Sequence, residues 1–181
     1  MGDLSHREPL KCDVEKVRRV LNAFHGSLQC DAIKPVVQKD VTGCGIASVA
    51  TLAGVPYEST RRVARRLGIS AEDPQLWSDT RYVRALLHHY SLRAANKEQP
   101  FHSWDALPNL ALLAIKWHVQ RGRAYWHWVV FNREPHGAVV LDPKHGLRTN
   151  RRTDFGRMKP KWFIAILAPR MVPMRARRTH S

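Results

Sequence analysis

The stretch YWHWVVFNREPHGAVVLD, residues 125–142, decides how the chain is read. Tyr125 to Phe131 and Ala138 to Leu141 are aromatic and β-branched runs of strand length, and Asn132 to Gly137 between them has turn composition. Two such runs around a short turn predict an antiparallel hairpin. With the hairpin centred between Glu134 and Pro135, His127 faces Asp142, Val129 faces Val140 and Phe131 faces Ala138. Facing residues share one side of a sheet, so this register brings an imidazole to a carboxylate. A slip of one residue would send them to opposite faces.

Outward from the hairpin, Leu92–Ala95, Leu110–Trp117 and Trp162–Leu167 are further short apolar runs punctuated by Gly, Pro and Asn, and read as strands. The earlier half has helical period. Asp13 to Phe24 sets Val14, Val17, Val20, Leu21 and Phe24 on one face, with Asp13 as N-cap and Gly26 as terminator. Residues 31–43 read as extended loop. Cys44–Leu52, CGIASVATL, reads as a buried helix, followed by helices over Glu58–Leu67 and Ser78–His89. Helices first and strands later predict an α+β fold: an N-terminal helical half, with the helix of Cys44 packed on a C-terminal antiparallel β-sheet. The division expected is a helical extension over 1–30, one folded domain over 31–168 and a basic, flexible tail over 169–181.

The 181 residues suit one core, and 44% apolar with 25% charged residues excludes a disordered polyelectrolyte. No apolar run is long enough for a bilayer span. The opening MGDLSHREPLKCDVEK lacks the apolar segment of a secretory signal, which predicts a cytoplasmic protein. Cys12, Cys30 and Cys44 are three and show no CxxC spacing, so free thiols are expected and a disulfide framework is not. The histidines lack HExxH spacing, and neither a metal nor a cofactor is expected. The 30 Lys and Arg against 15 Asp and Glu leave a net charge of +15. Ten of those cations lie between Arg148 and Ser181, against the single acid Asp154, and Arg61, Arg62, Arg65 and Arg66 form two i,i+4 pairs. Such charge attracts acidic partners: a peptide or protein substrate of acidic character, or, less favoured without an aromatic-interleaved motif, nucleic acid.

Chemistry gathers at four residues. Cys44 stands between Gly43 and Gly45 at the start of an apolar helix. The glycines allow a sharp turn and the close approach of a substrate backbone. A helix N-terminus favours thiolate and leaves N–H groups free, among them that of Cys44 itself. Gln38, on the extended loop, offers a second donor to an oxyanion. His127 then serves as base to the thiol with Asp142 behind it as orienter, and Asn132 is the reserve orienter. Trp126 and Trp128, alternating with His127, are expected in the core, while Trp77 and Trp104 are candidates for lining a substrate groove. His88 and His89 read as surface or boundary histidines.

The blocks Gln38-x5-Cys44-Gly45-x-Ala47-Ser48 with Leu52-Ala53-Gly54, His127-Trp-Val-Val130, and Leu141-Asp142-Pro143 resemble papain-like cysteine peptidases. Within them the text is most similar to the bacteriocin-processing, double-glycine peptidase family in a stand-alone form, from about Gln38 to Leu167. The resemblance implies a papain-like fold and cofactor-free hydrolysis of a peptide or isopeptide bond. It implies Cys44 as nucleophile, His127 as general base and acid, Asp142 as orienter and Gln38 in the oxyanion hole. The acidic residue that the family carries just before its cysteine is Gly43 here. The same four residues suit a papain-like acyltransferase or deamidase. The charge alone suits a basic binding module with a vestigial cysteine site.

Overall fold

Three helices precede a six-stranded sheet in the computed structural model, which describes residues 32–167. The helix read over Asp13–Phe24, the thiols of Cys12 and Cys30, and the tail over 169–181 lie outside the described residues. Helix α1 (Cys44–Ala53) is made of small and apolar residues and is buried along its whole length. Gly54, at φ 63°, ends it in the left-handed conformation that suits glycine. Helix α2 (Tyr57–Arg66) buries Tyr57, Thr60, Val63 and Ala64 and turns its arginines outward. Helix α3 (Arg81–His89) begins later than its apolar period suggests. Pro74–Ser78 instead form a 3-10 turn, begun by the Asp73 side chain accepting from Gln75 N at 2.8 Å.

The strands are β1 (Gln99–Pro100), β2 (Leu110–Gln120), β3 (Arg123–Glu134), β4 (Gly137–Leu141), β5 (Arg151–Arg152) and β6 (Pro160–Ala165). They lie in the order β1-β6-β2-β3-β4-β5, every pair antiparallel. The architecture is α+β, as the order of helical and extended runs predicts. Alternation along β3 divides the core into two layers. Trp126, Trp128 and Val130 join the cluster under the helices with Ile46, Val49 and Leu86. Val129 and Phe131 join a second cluster on the far face with Leu113, Val140 and Phe163.

Three expectations are corrected. Leu92–Ala95 is not a strand: only Ala94 bridges to Ile166, and the sheet edge is the two-residue β1, where Pro100 has no N–H to continue a ladder. Trp104 packs on the far-face cluster, 4.7 Å from the Phe155 ring and 5.1 Å from Phe101, so it lines no groove beside Cys44. The hairpin register is shifted by two: Phe131 faces Val140 and Glu134 faces Gly137. The turn is therefore Pro135-His136. Proline is favoured at the first central position of a turn and disfavoured at the second, where centring between Glu134 and Pro135 would put it. Because the shift is even, the faces are unchanged.

Strand β2 carries a bulge. Ile115 pairs with His127 and His118 with Tyr125, so Lys116 and Trp117 together oppose Trp126. Lys116 takes a left-handed φ of 56° there. Such bulges re-aim side chains beside functional sites.

Candidate active site

The loop before α1 is tied down by its own polar groups. Gln38 N donates to Pro143 O at 2.8 Å, which fastens this loop to the segment following Asp142. The Gln38 amide nitrogen donates to Asp40 O at 3.0 Å and Val41 O at 3.1 Å, and its Oε1 is buried without a partner. The Asp40 carboxylate accepts from Tyr57 Oη at 2.7 Å and pairs with Arg61 Nε at 3.0 Å. Thr42 Oγ1 donates to Ala71 O. Arg61 is thus part of the loop's scaffold rather than a free surface cation.

Cys44 opens α1, is buried, and forms no disulfide among the described residues. The cap residue Gly43 contributes no side-chain hydrogen bond, so no cap side chain occupies the first-turn N–H groups. The flanking glycines answer a need for space rather than for turning. Gly43, at φ −78° and ψ 6°, is in a conformation that any residue adopts. A Cβ there would strike the Tyr57 hydroxyl, and a Cβ on Gly45 would lie 2.6 Å from Tyr82 Cζ. Position 43 has no room for an acidic side chain while Tyr57 holds Asp40. The Tyr82 hydroxyl is buried, and neither Gly45 N–H nor Trp128 Nε1–H attains hydrogen-bond geometry with it. Burial, then the charge of Cys44, pushes that phenol well above its ordinary pKa. One turn along the helix face from Cys44, Ser48 Oγ donates to Trp128 O at 3.3 Å and sets α1 against β3.

Across this contact stands His127, its side chain 15% exposed. Its Nε2 lies 2.7 Å from Asp142 Oδ1. In the observed register, position 142 continues opposite Val129, so the imidazole reaches the carboxylate diagonally rather than straight across. Asp142 is fully buried. Its Oδ1 also accepts from Lys144 N at 3.0 Å, and its Oδ2 pairs with Arg152 Nη1 at 2.8 Å. Asn150 fixes the backbone of Asp142: its O accepts from Asp142 N at 2.8 Å and its Nδ2 donates to Asp142 O at 2.6 Å. Arg152 is itself held by Asp154, with Nη2 2.8 Å from Oδ2.

These contacts fix the protonation states. Burial favours neutral Asp142, but bonds from His127, Lys144 N and Arg152 outweigh it and hold the carboxyl well below the usual carboxylate range. An ionised carboxylate only accepts, so Nε2 donates its proton to Asp142 and Nδ1 is the nitrogen turned to the sulfur. Burial would likewise lower the pKa of His127. The hydrogen bond to Asp142, and then hydrogen bonding and charge from the neighbouring Cys44 sulfur in its thiolate form, raise it to about 9.

Cys44, His127 and Asp142 therefore meet at one place, where α1 abuts the strands. Gln38 belongs to the same loop, with both its amide hydrogens engaged by carbonyls. Asn132 is not at the site: it is buried in β3 and donates to Glu134 Oε1 at 3.0 Å. Trp126, Trp128 and Trp162 stack edge-on in the core, 5.0–6.1 Å apart. Arg152, Asn150 and Lys144 were not singled out by sequence reasoning. The acid Asp154, two residues after Arg152 in an otherwise basic stretch, was the available signal that an arginine there was paired and not merely solvated.

No family model matches the chain, and no curated protein matches it. Among solved structures, the chain is similar to a double glycine motif protease from an AMS/PCAT transporter, determined in complex with the leader peptide. The TM-score is 0.46 at 19% identity, over 72% of this chain and 88% of that one. No helix among the described residues is long and apolar enough to cross a membrane.

Proposed function

We propose that the protein is a papain-like cysteine peptidase that hydrolyses a peptide or isopeptide bond. The observation carrying this reading is the chain of contacts from the Cys44 thiol through His127 to the buried Asp142 carboxylate, 2.7 Å from Nε2. The proton of the thiol resides on His127 Nδ1, and the thiolate sulfur bonds to the substrate carbonyl carbon as the carbonyl π pair moves to oxygen. The Cys44 N–H donates to that oxyanion, and Gln38 donates too by exchanging its bond to the exposed Val41 carbonyl. The intermediate collapses, the C–N bond breaks, and the imidazolium protonates the leaving amine. Water, deprotonated by His127, then attacks the thioester and releases the acid and the thiol. Asp142 remains ionised throughout and holds the ring.

The test is mass spectrometry of a peptide pool incubated in heavy-oxygen water with the wild-type protein or with Cys44→Ala. Cleavage by the wild type alone, with heavy oxygen in the new C-termini, is expected. Products without heavy oxygen but joined to an added amine would make the protein an acyltransferase. Equal cleavage by both proteins would end the peptidase reading.

A further inference from the structure

Beside the proposed catalytic carboxylate lies a cavity of about 700 Å3 that the reaction itself does not use. Its wall carries Lys116, Arg148, Arg151, Arg152 and Arg157 against one acid, Asp154. Two of these cations have structural duties: Arg151 pairs with Glu134 Oε2 at 2.8 Å, and Arg152 with Asp142 and Asp154. Lys116, Arg148 and Arg157 are exposed and hold no ion pair among the described residues. Lys116 is brought there by the β2 bulge, directly after the cross-strand partner of His127. Like charges gathered in a concavity focus their field and draw in anions. Guanidinium groups match carboxylates in geometry as well as charge. None of the lining residues is aromatic, so the cavity offers no platform for stacked bases. Arg152 joins the two places, since it lines the cavity and also bonds the carboxylate that holds His127.

We propose that this cavity is a substrate subsite for a run of Glu or Asp side chains in the peptide whose scissile carbonyl lies at Cys44. The proposal rests on the peptidase reading. It is tested by binding, with full-length protein carrying Cys44→Ala and a fluorescein-labelled oligoglutamate peptide followed by anisotropy. One variant adds Lys116→Gln, Arg148→Gln and Arg157→Gln. A control instead removes equal charge from the outer face of α2, by Arg62→Gln, Arg65→Gln and Arg66→Gln. The cleft variant should weaken binding at least ~10-fold and the α2 variant less than ~3-fold, because close, oriented charges count for more than net charge. Equal weakening by the two, or no binding at all, would overturn the proposal. So would an oligodeoxynucleotide of equal charge that binds more tightly than the peptide through the same three residues. Alkylation of Cys44, measured with the cysteine present, is a separate readout. A Cys44 that proves inert, with oligoglutamate still discriminating the two variants, would end the peptidase reading and with it the substrate role, leaving the cavity a binding site for acidic peptide alone.

Discussion

The nucleophile and the acid are held by opposite means. On the Cys44 side, position is set by volume: a wholly buried helix of small residues, two glycines without room for a Cβ, and two tyrosines packed over them. On the Asp142 side, position is set by charge. A buried carboxylate is shared by an imidazole, a guanidinium and a backbone N–H, and a basic cavity opens beyond it. The first side resists change through steric fit and the second through paired ions. The two sides should therefore fail differently when altered.

The largest effect is expected from Asp142→Ala. It strands buried donors on His127, Arg152 and Lys144 N, and should cost about 3–5 kcal/mol in urea unfolding. Loss of ring orientation should also slow Cys44 alkylation ~10²-fold. Next comes pH. His127 is raised to about 9 from its ordinary 6.5, so its contribution is complete below about 6.5 and lost as pH rises through about 9. The urea stability of wild type relative to His127→Gln should shrink over that window by on the order of 3 kcal/mol. Peptide turnover should fall over the same limb, because the leaving amine needs the imidazolium proton. Arg152→Gln should cost about 2–3 kcal/mol, with little recovery in Arg152→Lys, which cannot span Asp142 and Asp154 as the planar fork does.

The steric side should yield smaller numbers. Gly45→Ala drives a Cβ into the Tyr82 ring, and about 1–3 kcal/mol is expected by denaturation, largely independent of pH. A Gly45→Ala penalty that varied with pH as His127 titrates would erase the distinction between the two sides. Smallest is Ser48→Ala, which removes one bond of 3.3 Å between α1 and β3 and should cost about 0.5–1 kcal/mol.

The steric side was the legible one. Nine small or apolar residues from Cys44 to Leu52 can only be a buried element, and Gly54 marks its end. The hairpin was also readable, and its register failed by two for a reason in the sequence itself, the preference of Pro135 for the first turn position. The charged side was hidden because the pairs of Asp142 are not local: His127 lies 15 residues before it and Arg152 ten after it. Arg152 meets Asp142 across a loop of irregular backbone, and in a stretch so rich in cations a paired arginine looks like a solvated one. The β2 bulge that brings Lys116 to the cavity left no mark, since it needs a left-handed backbone at a lysine. Of the two properties read for the glycines around Cys44, the freedom to turn is not the one used; their lack of bulk is, and it makes room for two tyrosines.

The central claim is that the Cys44 thiol and the His127 imidazole act as one unit. Site-resolved alkylation by iodoacetamide at neutral pH measures this directly, with Cys12 and Cys30 as internal references in the same molecule. Cys44 should react faster than either reference despite its burial, and His127→Ala should slow it ~10²-fold while leaving the references unchanged. A Cys44 that reacts no faster than Cys12 or Cys30, at a rate indifferent to His127, would contradict the account.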